Sequence, residues 1–154
     1  MSAPFVHLHT HSHYSLLSAL PKIKKLVARA QELQMPALAL TDNGNMYGAI
    51  EFYKACVKAE IKPILGVDFY VAARTRFDKE PGIDAKRDRL VLLAMNDAGY
   101  KNLIKLVTYS HTEGFYYRPR VDKELLQKYH EGLIAILPVF NGPLSNALRN
   151  NDTE

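Results

Sequence analysis

Cysteine is nearly absent: Cys56 is the single one in 154 residues, which excludes an internal disulfide and any CxxC metal site and suits a reducing cytoplasm. Tryptophan is missing altogether, glycine and proline stand at 8 each, and no apolar run approaches bilayer length. The start, Met1 to His7, has no basic stretch followed by an apolar one, so it reads as a cytoplasmic start rather than a secretory signal. Neither sign of charge dominates. Lys plus Arg number 20 against 16 for Asp plus Glu, giving +4. That balance permits nucleic acid as a partner without requiring it. With 47% apolar and 23% charged residues, the chain reads as one globular domain over 1–154, with no second domain and no repeat.

Five short, nearly continuous apolar runs predict strands buried on both faces: Phe5 to His9, Ala37 to Thr41, Pro63 to Ala72, Leu90 to Met95 and Leu133 to Leu137. Helical patterns lie between them. Ile23, Leu26, Val27, Ala30 and Leu33 share one face of a first helix, with Pro21 at its start and Pro36 beyond its end. A second is expected from Met46 to Glu60 after an Asn45 cap, burying some of Ile50, Tyr53, Ala55 and Val57. A third spans about Ala98 to Thr112, Asp122 caps a fourth from Lys123 to His130, and a fifth starts after Pro143. Alternation of this kind predicts an α/β fold with a mostly parallel sheet, open or closed as a barrel. Arg74 to Arg89 is the one long polar excursion. A closed βα barrel takes at least about 200 residues, so a barrel reading leaves this chain short of closure.

Four of the six histidines, His7, His9, His11 and His13, fall in a seven-residue stretch. On a strand, alternation sends His7 and His9 to one face, where two imidazoles can converge on a transition metal. Asp42, at the end of the second predicted strand, and Asp68, inside the third, are the acids able to join them. An acid between Val67 and Phe69 in a buried strand needs a partner or a metal. Asp42 taken alone reads as part of a turn, Thr41-Asp42-Asn43-Gly44, rather than a site. Gly114 to Arg120 interleaves aromatics with Arg118 and Arg120, a combination that single-stranded nucleic acid uses but that reads first as a rigid loop whose aromatics pack under neighbouring helices. Cys56 reads as a buried core thiol, and His111 and His130 as helix-end residues.

Along nearly its whole length the chain resembles the PHP (polymerase and histidinol phosphatase) domain that opens bacterial DNA polymerase III alpha subunits. The resemblance lies in Phe5 to Ser12 with Tyr14 to Leu17, in Ala39 to Asp42 and Gly44 to Tyr53, in Ile61 to Gly66, in Gly99 to Leu103 and in Glu113 to Asp122. It implies a distorted seven-stranded βα barrel, of which about five strands fall in this chain. It also implies a metal cluster at one end that hydrolyses phosphoesters in active members.

Against the family's ligand pattern, Ser18 replaces an acid, Asn43 and Arg89 replace histidines, Val139 replaces a cysteine, and Asp68 is a shortened Glu. What remains is His7, His9 and Asp68, with His11, His13 and Asp42 as supporting candidates. The expectation is therefore a degenerate site holding no metal or one weakly bound Zn or Mn, and a scaffold role within a replicative polymerase whose own Mg site lies outside this chain. No catalytic residue is assigned. The resemblance further implies the remainder of the polymerase chain, DNA through the whole protein, a proofreading subunit and a sliding clamp as partners, with no membrane. Two other readings stay open: an active metal-dependent phosphoesterase or 3′-5′ exonuclease, and a nucleic-acid-binding module resting on Arg118 and Arg120.

Overall fold

In the computed structural model, residues 5–140 and 142–150 are described. Met1 to Pro4 and the last residues of the 1–154 domain span lie outside them. The elements run α1 (Ile23–Glu32), β1 (Ala37–Leu40), α2 (Ala49–Lys58), β2 (Lys62–Ala72), β3 (Arg87–Ala94), α3 (Asp97–Thr112), β4 (Phe115–Tyr116), β5 (Arg118–Val121), α4 (Lys123–Lys128), β6 (Leu133–Ile136) and α5 (Pro143–Asn150). This is a mixed α/β fold built on the order β4-β5-β2-β3-β6, with β1 also on β2.

The sheet is less parallel than expected. β1 and β5 run parallel to β2, but β3 pairs antiparallel with both β2 and β6. The reason is the connection: β2 returns as β3 through a loop with no crossover helix, and a parallel return needs one.

The run at Phe5 to His9 forms no strand. It lies along β1 all the same, with Ala39 N–H donating to His7 O at 3.0 Å and Thr41 N–H to Thr10 O at 2.8 Å. Three steps of one chain oppose two of the other, so the segment bulges and a regular ladder is lost.

Three apolar clusters hold the layers together. α1 and α2 pack through Ile23, Val27, Phe52 and Cys56 onto Leu38 and Leu40. α3 and α4 cover the sheet's outer face through Leu103, Leu106 and Leu125, against Val67, Phe69 and Leu92. Burying each such side chain contributes roughly 1.5–3 kcal/mol. A small third cluster on the inner face comprises Ala39, Val91 and Leu93, flanked by Ile64 and Ile136.

Ile50, Tyr53 and Val57, expected in the core, are 58%, 51% and 54% exposed, while Ala49, Phe52 and Cys56 are buried instead. Both triplets have helical spacing, so periodicity alone cannot choose between them. Ile50 and Tyr53 border an apolar recess of about 610 Å³ that also includes Leu8, Ile64, Met95 and Ile134. Burial pushes the Cys56 thiol up to about 11, as an inert core cysteine requires.

The 73–86 excursion is tied down from inside. Arg74 holds Asp84 through Nε at 3.0 Å and Nη2 at 2.5 Å, and Glu80 N–H donates to the same carboxylate at 2.8 Å. These bonds, the Arg74 ones foremost, hold the Asp84 carboxyl down to about 2. A lowered folded-state value stabilises the fold above the unfolded value of about 3.9 and loses that contribution as pH falls towards the folded value. Asp84→Asn is therefore expected to be less stable than the wild type at pH 7, with the gap closing between about pH 4 and pH 2. Denaturation midpoints at several pH values check this, and a gap that stays constant refutes it.

Candidate metal centre

Asp68 sits in the middle of β2, with its residue 2% exposed. Its backbone is locked to the turn after β1: Asp68 N–H donates to Asp42 O at 3.1 Å and Gly44 N–H to Asp68 O at 2.9 Å. Gly44 has φ +62°, a left-handed turn that favours glycine and releases the chain towards α2.

Asp42 organises the histidine segment. Its Oδ1 accepts from Ser12 N–H at 2.7 Å and from Ser15 Oγ at 2.6 Å, and its Oδ2 accepts from Ser12 Oγ at 2.7 Å. Ser15 Oγ in turn accepts from Asn43 N–H at 3.0 Å. An otherwise irregular stretch is thereby pinned to the end of β1.

The segment so held presents His9 and His11 to Asp68. His9 Nε2 stands 2.9 Å and His11 Nε2 3.3 Å from Asp68 Oδ2, with the two rings edge to face at 4.9 Å. Ligand atoms of these three residues lie within 4.8 Å of one another, a possible metal site. His11 Nε2 is buried and makes no hydrogen bond of good geometry.

A fourth side chain competes for the same carboxylate. Arg89, from β3, donates through Nε to Asp68 Oδ1 at 2.9 Å and pairs through Nη2 with Oδ2 at 2.5 Å. Nη2 also donates to Asn43 Oδ1, and the guanidinium lies 4.1 Å above the Tyr70 ring. Burial alone would raise the Asp68 carboxyl, but the close approach of His11, hydrogen bonds from His9 and Arg89 and the Arg89 charge outweigh it. They hold the group well below the usual carboxylate range.

The other expected residues fall as follows. His7 is outside the three-donor group, exposed, with its ring edge-on to Phe5 at 4.7 Å. The bulge between His7 and Thr10 breaks the alternation that would have paired His7 with His9. His13 packs on Tyr14 at 4.3 Å, its Nδ1 buried without a partner. Ser18 and Val139 lie exposed on turns and take no part in the group.

Arg118 is exposed, whereas Arg120 is fully buried and corrects the reading of it as a nucleic-acid contact. Its guanidinium donates to the carbonyls of Gly114, Asp84, Arg76 and Asp78 at 2.8–3.1 Å, closing the 73–86 loop over β5. Sequence reasoning also missed Tyr70, although its place two residues beyond Asp68 on β2 puts it on the same face. Arg76 was missed too. It is buried and pairs with Glu113, Asp122 and Glu124, acids far along the chain that no local pattern connects to it.

A family model described as the PHP domain matches residues 7–154. The chain belongs to the PHP family. DNA polymerase III subunit alpha of Borreliella burgdorferi is 46% identical over 151 residues, covering 97% of this chain and 13% of that protein. The same subunit from Chlamydia pneumoniae is 48% identical over 147 residues, covering 93% of the chain and 12% of that protein. This PHP chain thus spans about an eighth of the length of these relatives. Among solved structures, a candidate metal-dependent phosphoesterase from Bifidobacterium adolescentis superposes with a TM-score of 0.51 at 14% identity, covering 71% of this chain and 34% of that one. At that identity the likeness is one of fold.

Proposed function

We propose that this chain is the PHP region of a bacterial replicative DNA polymerase alpha subunit, acting as a scaffold with no hydrolysis of its own. The observation that carries this reading is the two-point engagement of Asp68 by Arg89 together with its bond to Asn43. A guanidinium is permanently charged and offers no lone pair. Placed on both oxygens of the one acid in the group, it supplies the positive charge a metal would otherwise bring. The residues present do not fit a catalytic metal cluster: three donors gather, one is already neutralised, and Ser18 and Val139 stand apart.

His9 and His11, the latter with an unused buried nitrogen, leave room for at most one weakly held Zn or Mn, which would have to compete with Arg89 for Asp68. His7 remains on the rim, open to the same ion only if the segment rearranges. That unused nitrogen is also the single feature favouring a working phosphoesterase or exonuclease. The nucleic-acid module loses half its basis with Arg120 buried.

The remainder of the polymerase chain is the first partner. The apolar recess beside Ile50 and Tyr53 supports that assignment, because contiguous apolar surface of this kind marks a place where more protein packs. DNA is engaged through the whole protein, with its Mg-dependent polymerase site outside these residues. A proofreading subunit and a sliding clamp complete the proposed assembly. No helix among the described residues is long and apolar enough to cross a membrane, and the proposed location is the cytoplasm.

Metal stoichiometry by elemental mass spectrometry tests the scaffold reading. Untagged protein incubated with Mn and Zn is expected to retain well under one ion per chain, as is a His7→Ala/His9→Ala control. Two or more ions per chain, lost in the control, would overturn it.

A further inference from the structure

The loop between the histidine segment and α1 turns three large apolar side chains to solvent. Leu16, Leu17 and Leu20 are 74%, 103% and 92% exposed. Leu17 moreover stands at φ +62°, in the left-handed region that a side chain with a Cβ rarely adopts. A turn under no other demand would carry glycine or asparagine there. The loop is nevertheless firmly held. His13 N–H donates to Pro21 O at 2.9 Å and closes it, while Ser18 and Ala19 N–H donate to Ser15 O at 3.0 and 3.1 Å. Ser15 is fastened to Asp42 through its hydroxyl at 2.6 Å. A braced turn thus displays the leucines in fixed positions.

The charge beside them is unanswered as well. Lys22, Lys24 and Lys25 are exposed at the start of α1, which has no acid in its first turn and no side-chain cap. Cations at that end oppose the helix dipole. Among the described residues none of the three has an acid within ion-pair distance, and Arg29 with Glu32 is the one ion pair α1 makes. Three exposed leucines and three unpaired lysines therefore lie within ten residues of chain, and the fold uses neither set.

We infer that this loop and the first turn of α1 form a docking surface for an acidic, apolar-faced segment of the polymerase chain outside these residues. The leucines supply a dry centre and the lysines a cationic rim, the usual division of a protein interface. An acidic occupant is the one whose charge complements that rim. The inference rests on the proposed function for its source: the chain spans about an eighth of its polymerase relatives, so most of such a polypeptide lies elsewhere. A second copy is a poor occupant, because the chain carries +4 and repels itself. The surface is separate from the recess beside Ile50 and Tyr53, whose lining includes none of these six residues.

Leu17→Cys in the whole polymerase polypeptide, labelled with N-ethylmaleimide and read peptide by peptide by mass spectrometry, tests it. Labelling is expected to be slower than in urea by about tenfold or more, with Leu20→Cys as a second reporter behaving alike. Adding Lys24→Glu and Lys25→Glu should repel an acidic occupant and return both reporters to the rate seen in urea. All four positions are exposed, so none puts folding in question. Labelling at the urea rate before the charge reversal overturns the inference, and so does protection that survives the reversal. Protection that fades on dilution assigns the face to a second copy, and protection seen only with phosphatidylglycerol vesicles assigns it to a membrane. Either overturns the inference. All these outcomes leave the scaffold reading untouched, which fails separately if the same preparation retains two or more Mn per chain. A native polypeptide no longer than these 154 residues overturns the inference together with the assignment to a polymerase.

Discussion

Arg89→Ala is expected to lose about 3–5 kcal/mol of folding stability, the cost of leaving a buried charge without its partner. Against a typical margin of about 5–15 kcal/mol this is close to unfolding, and urea or thermal midpoints measure it directly. The reason lies in Asp68, whose carboxylate is almost fully buried and would be left with only His9 and His11. A second effect separates charge compensation from mere packing. With the guanidinium gone, His9, His11 and Asp68 are free to take a cation, so Zn or Mn should raise the midpoint of the variant and leave the wild type unmoved. A ligand that binds only the folded state stabilises it by about 2.7 kcal/mol at a hundred times its dissociation constant, well above error. Equal stabilisation of both proteins would show that Arg89 does not stand in a cation's place.

The second large effect belongs to Arg120. Arg120→Ala should cost about 3–5 kcal/mol, since each buried carbonyl left without a donor costs about 1–3 kcal/mol and relaxation of the loop recovers part. Three carbonyls lose their partner at once, those of Asp84, Arg76 and Asp78, while Gly114 O keeps the Arg120 backbone N–H at 3.3 Å. Arg120→Lys should rescue little, because one ammonium cannot reach carbonyls arranged around a planar fork. Arg118→Ala, at an exposed position in the same hairpin, should stay within about 0.5 kcal/mol. Thermal unfolding of the three variants ranks them. Loss of DNA affinity with unchanged stability in Arg120→Ala would restore the nucleic-acid reading of that residue.

Strands were legible where apolar runs were long and β-branched, as from Pro63 to Ala72 and from Leu90 to Ala94, whereas Arg87 to Arg89, read as the end of the polar excursion, in fact open β3. The hairpin Phe115–Tyr116 and Arg118–Val121 was not, because its strands are two and four residues long and its reversal rests on Tyr117 at φ +58°. One cap was legible because it is local: Asp122 accepts from Leu125 N–H at 3.0 Å, as its place before α4 implies. The expected Asn45 cap was not, since Asn45 Oδ1 accepts from Tyr47 N–H at 3.1 Å in a turn and α2 starts only at Ala49 after Gly48. The α2 face was not, since two apolar triplets on one helix compete and only the packing of α1 selects between them.

The sequence by itself determined the α/β class, the helical segments, the buried thiol at Cys56 and the concentration of histidines at 7–13, all of which depend on residues a few places apart. Only the tertiary structure decided which histidines meet Asp68, that Arg89 closes on it across the sheet, and that Arg120 serves the fold rather than a ligand. These outcomes pair groups 21–59 residues apart. A charge has no sequence period to announce its partner. Its place is set by strand register and by a bulge, and both exist only once the sheet has formed.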